Sequence, residues 1–115
     1  MVTVYGLKNC DTCRKALKDL VEAERPHRFI DVREEVDRVR KVPSWLDAVG
    51  PVLVNTRSTT WRNLSPEDRA IAEEDPAGLL IAHPTLIKRP VIEIGEEVRI
   101  GWTPAVKREV LDLTG

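Results

Sequence analysis

Val2-Thr3-Val4-Tyr5-Gly6-Leu7-Lys8-Asn9-Cys10-Asp11-Thr12-Cys13-Arg14-Lys15-Ala16-Leu17-Lys18-Asp19-Leu20-Val21 is the stretch on which the fold turns. Apolar and polar residues alternate over 2–5, the pattern of a short strand, and Gly6 ends it. From Cys13 onward the apolar residues Cys13, Ala16, Leu17, Leu20 and Val21 recur at helical spacing, with Lys15, Lys18, Asp19 and Glu22 on the opposite face. Asn9, Asp11 and Thr12 all favour a helix start, which places the cap between positions 9 and 12. Pro26 is read as the end of this helix. Residues 27–32, with Phe29, Ile30 and Val32, then read as a second strand, which a helical crossover makes parallel to the first.

Beyond this opening β-α-β unit the pattern changes. Residues 34–42 are highly charged, the composition of a solvated face, and residues 44–49, with Trp45, Leu46 and Val49, predict a short helix closed by Gly50-Pro51. Ser65-Pro66-Glu67-Asp68 predicts a helix with serine as N-cap and proline in the first position, and residues 77–82 predict another before Pro84. These segments form a helical insertion at about 35–85. Residues 90–94 and 97–100 read as two strands joined by Gly95-Glu96, an antiparallel hairpin. Thr103-Pro104 opens a last helix with Val106, Val110 and Leu111 on one face. The expected fold class is therefore α/β with a mixed sheet, in a single domain spanning 1–115.

Composition narrows the function. The chain has 115 residues and a formal charge of −1, so neither a nucleic-acid-binding tail nor a polybasic membrane patch is present. Its 33 Leu, Ile, Val and Phe residues lie well above the ~20% level associated with disorder. The longest apolar run, Leu79-Leu80-Ile81-Ala82, is far short of a membrane span, and Met1 is followed by strand-like sequence rather than a charged leader. A soluble, cytoplasmic protein is expected. Its two cysteines, Cys10 and Cys13, cannot make a disulfide framework, whereas a reducing cytosol leaves such a pair free for chemistry.

Cys10-Asp11-Thr12-Cys13 falls where strand gives way to helix, and a helix N-terminus carries unpaired N–H groups and a partial positive charge that stabilise a thiolate. Cys10 precedes the first turn and is expected to be reachable, while Cys13 shares the apolar stripe and is expected to be partly buried, so Cys10 is the candidate nucleophile. Lys8 and Arg14 add nearby positive charge. Two intervening residues bring the sulfurs within a helical turn, close enough for a disulfide. The competing readings are an inert pair, or half of a zinc site completed by His27 and His83; those histidines lie 56 positions apart, against the usual three-to-five-residue spacing, so no metal is expected.

Three separated motifs carry a family resemblance: Gly6-Leu7-Lys8-Asn9-Cys10-Asp11-Thr12-Cys13-Arg14-Lys15-Ala16, Asn55-Thr56-Arg57-Ser58-Thr59-Thr60-Trp61-Arg62 and His83-Pro84-Thr85-Leu86-Ile87-Lys88-Arg89-Pro90-Val91. Together they resemble the ArsC-type arsenate reductase family, which includes YffB-like proteins and the Spx regulators. The resemblance implies a thioredoxin-like fold, a catalytic Cys10 that attacks arsenate, and Arg57 and Arg89 as oxyanion holders, with Asp11, Thr12 and Arg14 completing the substrate contacts. It also implies a cis Arg89–Pro90 bond facing the cysteine. Arsenate is anionic, so thiolate attack calls for a depressed thiol pKa and for cations, and arginine supplies planar paired donors. The Cys10–arsenic adduct would be resolved by Cys13 or by glutathione, releasing arsenite, with glutaredoxin/glutathione or thioredoxin as external thiol donor and no bound cofactor. This is arsenic detoxification by an expected monomer. Two positions depart from the glutaredoxin-coupled reductases: residues 6–9 contain no histidine, and Ile100-Gly101-Trp102 stands where they carry a third arginine. The alternative readings are an Spx-like redox switch that binds RNA polymerase and a general glutathione- or thioredoxin-linked thiol reductase. Trp45, Trp61 and Trp102 are read as packing residues, the last two also as walls for the thiol site.

Overall fold

The computed structural model describes residues 1–34 and 37–115; Glu35 and Val36, in the charged run, lie outside the described residues. The elements run β1 (Val2–Gly6), α1 (Asp11–Glu22), β2 (His27–Asp31), α2 (Arg38–Val49), α3 (Thr59–Asn63), α4 (Pro66–Glu74), α5 (Pro76–Ala82), β3 (Val91–Ile94), β4 (Glu97–Ile100) and α6 (Pro104–Thr114), with 3-10 turns at Gly50–Leu53 and Pro84–Leu86. They divide into two compact units, residues 1–34 with 89–115, and Asp37–Lys88.

The first unit is built on a mixed sheet of order β2-β1-β3-β4. β1 and β2 are parallel, from Val2 opposite His27 to Gly6 opposite Asp31, while β1 and β3 are antiparallel with Tyr5 opposite Val91. β3 and β4 form the hairpin around Gly95, whose φ of +59° is the left-handed conformation that glycine adopts without penalty. Val2, Val4 and Ile92 from the sheet, Ala16 and Leu20 from α1, and Trp102 and Val110 from the C-terminal segment make one buried cluster. Each fully buried aliphatic side chain there contributes about 1.5–3 kcal/mol. The Trp102 indole donates to Asp19 Oδ2 at 2.8 Å, and Lys107 Nζ lies 3.5 Å from the same oxygen, so one carboxylate on α1 ties down Trp102 and α6.

Helix α1 does not run to Pro26. It stops at Glu22 in a Schellman motif, with Arg25 N–H on Leu20 O at 2.9 Å and Glu24 N–H on Val21 O at 3.0 Å. Glu24 occupies the left-handed position at φ +57°, where glycine is usual. The backbone reverses before the proline is reached.

The second unit is helical. α2 begins six residues earlier than residues 44–49 predict, because Asp37 caps it by accepting from Arg40 N–H at 3.4 Å and its early turns absorb Pro43. The charged residues 38–41, expected as a solvated face, are thus the first turn of a helix that buries Val42 and Trp45. Ser65 and Asp75 cap α4 and α5, each followed by proline in the first helical position, and accept from Asp68 N–H at 3.1 Å and Gly78 N–H at 3.0 Å. Arg38 Nε donates to Ile81 O at 3.1 Å, joining α2 to α5. A bridge between Val54 and Ile87, flanked by Asn55 N–H on Leu86 O and Lys88 N–H on Leu53 O, both at 2.8 Å, closes the unit. Among the described residues, no helix is long and apolar enough to cross a membrane.

Candidate functional site

Cys10 is itself the N-cap of α1, with extended backbone at φ −94° and ψ 119°, and its side chain makes no capping bond. Asn9, Asp11 and Thr12 do not take the cap. The sulfur therefore stands at the N-terminal end of a 12-residue helix. The preceding loop is held by Cys10 N–H donating to Leu7 O at 3.2 Å, and Cys10 O accepts from Arg14 N–H at 3.0 Å.

Sheet register delivers the second component. Because Tyr5 of β1 lies opposite Val91 of β3, the chain just before Val91 comes alongside the end of β1 and the loop that follows it. Arg89 arrives there, ahead of a cis peptide bond to the buried Pro90, whose carbonyl accepts from Gly101 N–H at 2.8 Å. Its guanidinium is close enough to the Cys10 thiol to favour the thiolate.

The two cysteines behave oppositely. Burial opposes ionisation of Cys10, but the Cys13 backbone N–H, the Cys13 thiol and the Arg89 guanidinium outweigh it and hold the thiol below its ordinary value. Burial pushes the Cys13 thiol up to about 12, against a hydrogen bond from the Leu7 backbone, and the neighbouring Cys10 charge adds to the rise. Cys10 is half-buried, whereas Cys13 has no exposed surface. Both thiols are free.

Gly6, where sequence shows only the end of a strand, is part of this arrangement. A Cβ on residue 6 would overlap Cys13 Sγ and stand 3.3 Å from Cys13 Cβ and 3.5 Å from the Phe29 ring. The missing side chain makes the pocket for the buried sulfur. A glycine ending the strand before a Cys-x-x-Cys helix is the sequence signal that would have pointed to it.

The remaining candidates fall elsewhere. Asp11 and Thr12 are exposed on the first turn of α1, and Arg14 pairs with Asp11 at 3.3 Å, both largely in solvent. Arg57 belongs to the second unit, where its N–H donates to Asn55 Oδ1 at 3.1 Å and it lines a cleft of about 430 Å³ with Asn55 and Lys88. Arg99, the cation nearest the hairpin's end, is committed to Glu109 at 2.6 Å and Glu97 at 2.9 Å. Trp102 is a core residue bonded to Asp19, not a wall of the thiol site, and Trp61 lines a separate cavity of the second unit with Pro66 and Arg69. Among the described residues no cluster of three His, Cys, Asp or Glu is placed to hold a metal ion. What the first unit brings together is a lowered thiol, a protonated thiol and a guanidinium at a helix N-terminus, a set suited to nucleophilic attack on an electron-poor centre carrying negative charge.

The sequence profile of the ArsC family matches residues 5–110. An uncharacterized protein of Haemophilus influenzae is 41% identical over 104 residues, covering 89% of this chain and 91% of its own. The global transcriptional regulator Spx of Bacillus subtilis is 27% identical over 105 residues, covering 89% of this chain and 80% of its own. A solved structure of a YFFB protein superposes with a TM-score of 0.87 at 32% identity, covering 96% of this chain and 99% of that one.

Proposed function

Because the chain belongs to the ArsC family, we propose that it is a thiol-dependent arsenate reductase with Cys10 as its nucleophile. The observation that carries this reading is a half-buried Cys10 thiol at the N-terminus of α1, held below its ordinary value with the Arg89 guanidinium among the causes. The Cys10 thiolate attacks arsenic, and one arsenate oxygen leaves as water after protonation. Arg89 and the positive N-terminal end of α1 offset the charge that the incoming anion brings to an anionic nucleophile. A second thiolate, from Cys13 or from glutathione, then attacks Cys10 Sγ; the sulfur–arsenic bond breaks with its electron pair going to arsenic, which departs as arsenite. The two sulfurs are left as a disulfide, which glutathione or thioredoxin reduces. The Asp11–Thr12–Arg14 turn, which follows Cys10 directly in the chain, borders the substrate.

The test is arsenite production from arsenate by the purified protein, with glutathione/glutaredoxin and thioredoxin/thioredoxin reductase supplied separately. Turnover that is lost in Cys10→Ser is the expected result; a folded protein with free thiols and no turnover on either donor overturns the assignment. The similarity to Spx supports a second reading, a redox switch whose partner is RNA polymerase. Co-purification of the polymerase with the oxidised chain, in the absence of arsenate turnover, selects it.

A further inference from the structure

Two clefts of the helical unit run into one another. One, of about 430 Å³, is lined by Asn55, Arg57 and Lys88; the other, of about 550 Å³, is walled by Trp61, Pro66 and Ala70; Pro51, Val54 and Thr56 line both. All of these residues belong to the second unit. Together they make one groove with a cationic end and an apolar end.

Neither end is satisfied from within. Arg57 and Lys88 are exposed, and among the described residues neither side chain has a carboxylate at ion-pair distance. Two like charges lining one cleft without a counter-charge call for an anion. Asn55 Oδ1 accepts from Arg57 N–H at 3.1 Å, which leaves the Asn55 amide NH₂ as a further donor. At the apolar end Trp61 is half-buried, and among the described residues its indole N–H has no acceptor. Its backbone is fixed, with N–H on Ser58 Oγ at 3.1 Å and its carbonyl accepting from Arg69 Nε at 3.2 Å. A tryptophan held in this way, apolar in body and with a donor to offer, is the kind of side chain that anchors interfaces. Val52, 51% exposed, carries the apolar wall into the cationic end.

We propose that this groove binds an extended segment of another protein, one that joins an apolar or aromatic anchor to carboxylates further along its length. The anchor packs on Trp61 between Pro66 and Ala70, and the carboxylates pair with Arg57 and Lys88. Glu73, exposed at the apolar end, repels acid there, so charge sets the direction in which the segment runs. Most of the lining is exposed, so the groove is open. Small-molecule sites bury roughly 70–90% of their ligand, which an open groove does not do, whereas an extended chain reaches both ends at once.

The inference is independent of the thiol chemistry, and its variants lie outside the first unit. A phage-displayed random peptide library is selected on the purified wild-type protein, and the enriched consensus peptide, labelled with fluorescein, is titrated by fluorescence polarisation. The expected consensus joins an aromatic or large aliphatic residue to an acidic one. Its affinity should fall about tenfold in Trp61→Ala and about tenfold in Lys88→Glu. Lys88 is exposed, so its substitution leaves the packing of the unit intact. A peptide with lysine in place of the acidic residues should bind wild type at least about tenfold more weakly than the acidic one, and that gap should narrow in Lys88→Glu. No enriched sequence, a consensus without carboxylates, or a peptide bound equally by wild type and both variants overturns the proposal. Sedimentation that shows self-association lost in Trp61→Ala overturns it too, by giving the groove to a second copy of the chain.

Discussion

Replacing Gly6 by alanine probes the packing that holds Cys13. The new methyl would overlap Cys13 Sγ and crowd Cys13 Cβ at 3.3 Å, with the Phe29 ring 3.5 Å away. Cys13 turns only about χ1 and is fully enclosed, so relief has to come from displacing the sulfur or separating β1 from α1. Overpacking by one methyl at such a site costs about 1–3 kcal/mol. With an unfolding entropy of about 2.1 cal/mol/K per residue, a chain of this length loses about 4 °C in Tm per kcal/mol, so the expected drop is about 4–12 °C. The same substitution in a Cys13→Ala background meets no sulfur, and its cost should fall below about 0.5 kcal/mol. Urea and thermal unfolding of the four proteins in this double-mutant cycle give the coupling directly. Equal cost of Gly6→Ala with and without the Cys13 sulfur would refute the steric account.

Arg89→Gln keeps a hydrogen-bonding amide but removes the guanidinium charge, so the alkylation midpoint of Cys10 should rise by about one pH unit with little change in Tm; an unmoved midpoint would take Arg89 away from the thiol. Glu24→Gly relieves a left-handed residue at the end of α1 and should stabilise the fold by about 0.5–1 kcal/mol in urea titration. Loss of stability there would mean that the Glu24 side chain outweighs its backbone strain. Two carboxyls govern the acid limb. The Trp102 hydrogen bond and Lys107 hold Asp19 below its ordinary value, and Asp31, despite burial, is held down by Arg33. Both folded pKa values lie below the unfolded ones, so the unfolded chain binds more protons and stability rises with pH through this window. Their contribution is complete above about pH 5 and is lost as pH falls through the folded values. Asp19→Asn should flatten that limb, and an unchanged acid profile would count against the Trp102–Asp19 bond.

Local signals carried the architecture where the chemistry was local. Alternation gave β1, 3.6-residue spacing gave α1, and Ser65-Pro66 and Thr103-Pro104 marked helix starts that the structure caps with those hydroxyls. Legibility failed where a competing local arrangement was available. The reversal at Glu24 depends on a non-glycine residue in a left-handed conformation, which sequence rules discount. The first turns of α2 were hidden by Pro43 and by charges that belong to a helix burying Trp45. At the site, Cys10 and Cys13 were legible from the position of the pair between strand and helix. Their unequal environments rest on contacts that cross the chain, Arg89 through the β1–β3 register and Gly6 through the space it leaves for a sulfur seven residues later. Trp102 was legible as a packing residue but not by its partner, since its indole N–H finds Asp19, 83 residues away in sequence.

One cysteine of this pair is a poised nucleophile and the other a buried thiol held protonated. Site-resolved alkylation of the wild-type protein tests it most directly, by mapping iodoacetamide labelling of Cys10 and Cys13 by mass spectrometry as pH is raised from acid to alkaline. Cys10 should label with a midpoint below that of an ordinary thiol and be protected by arsenate, while Cys13 stays unlabelled until strongly alkaline pH or unfolding. Labelling of both cysteines with a common midpoint near that of a free thiol would contradict the account.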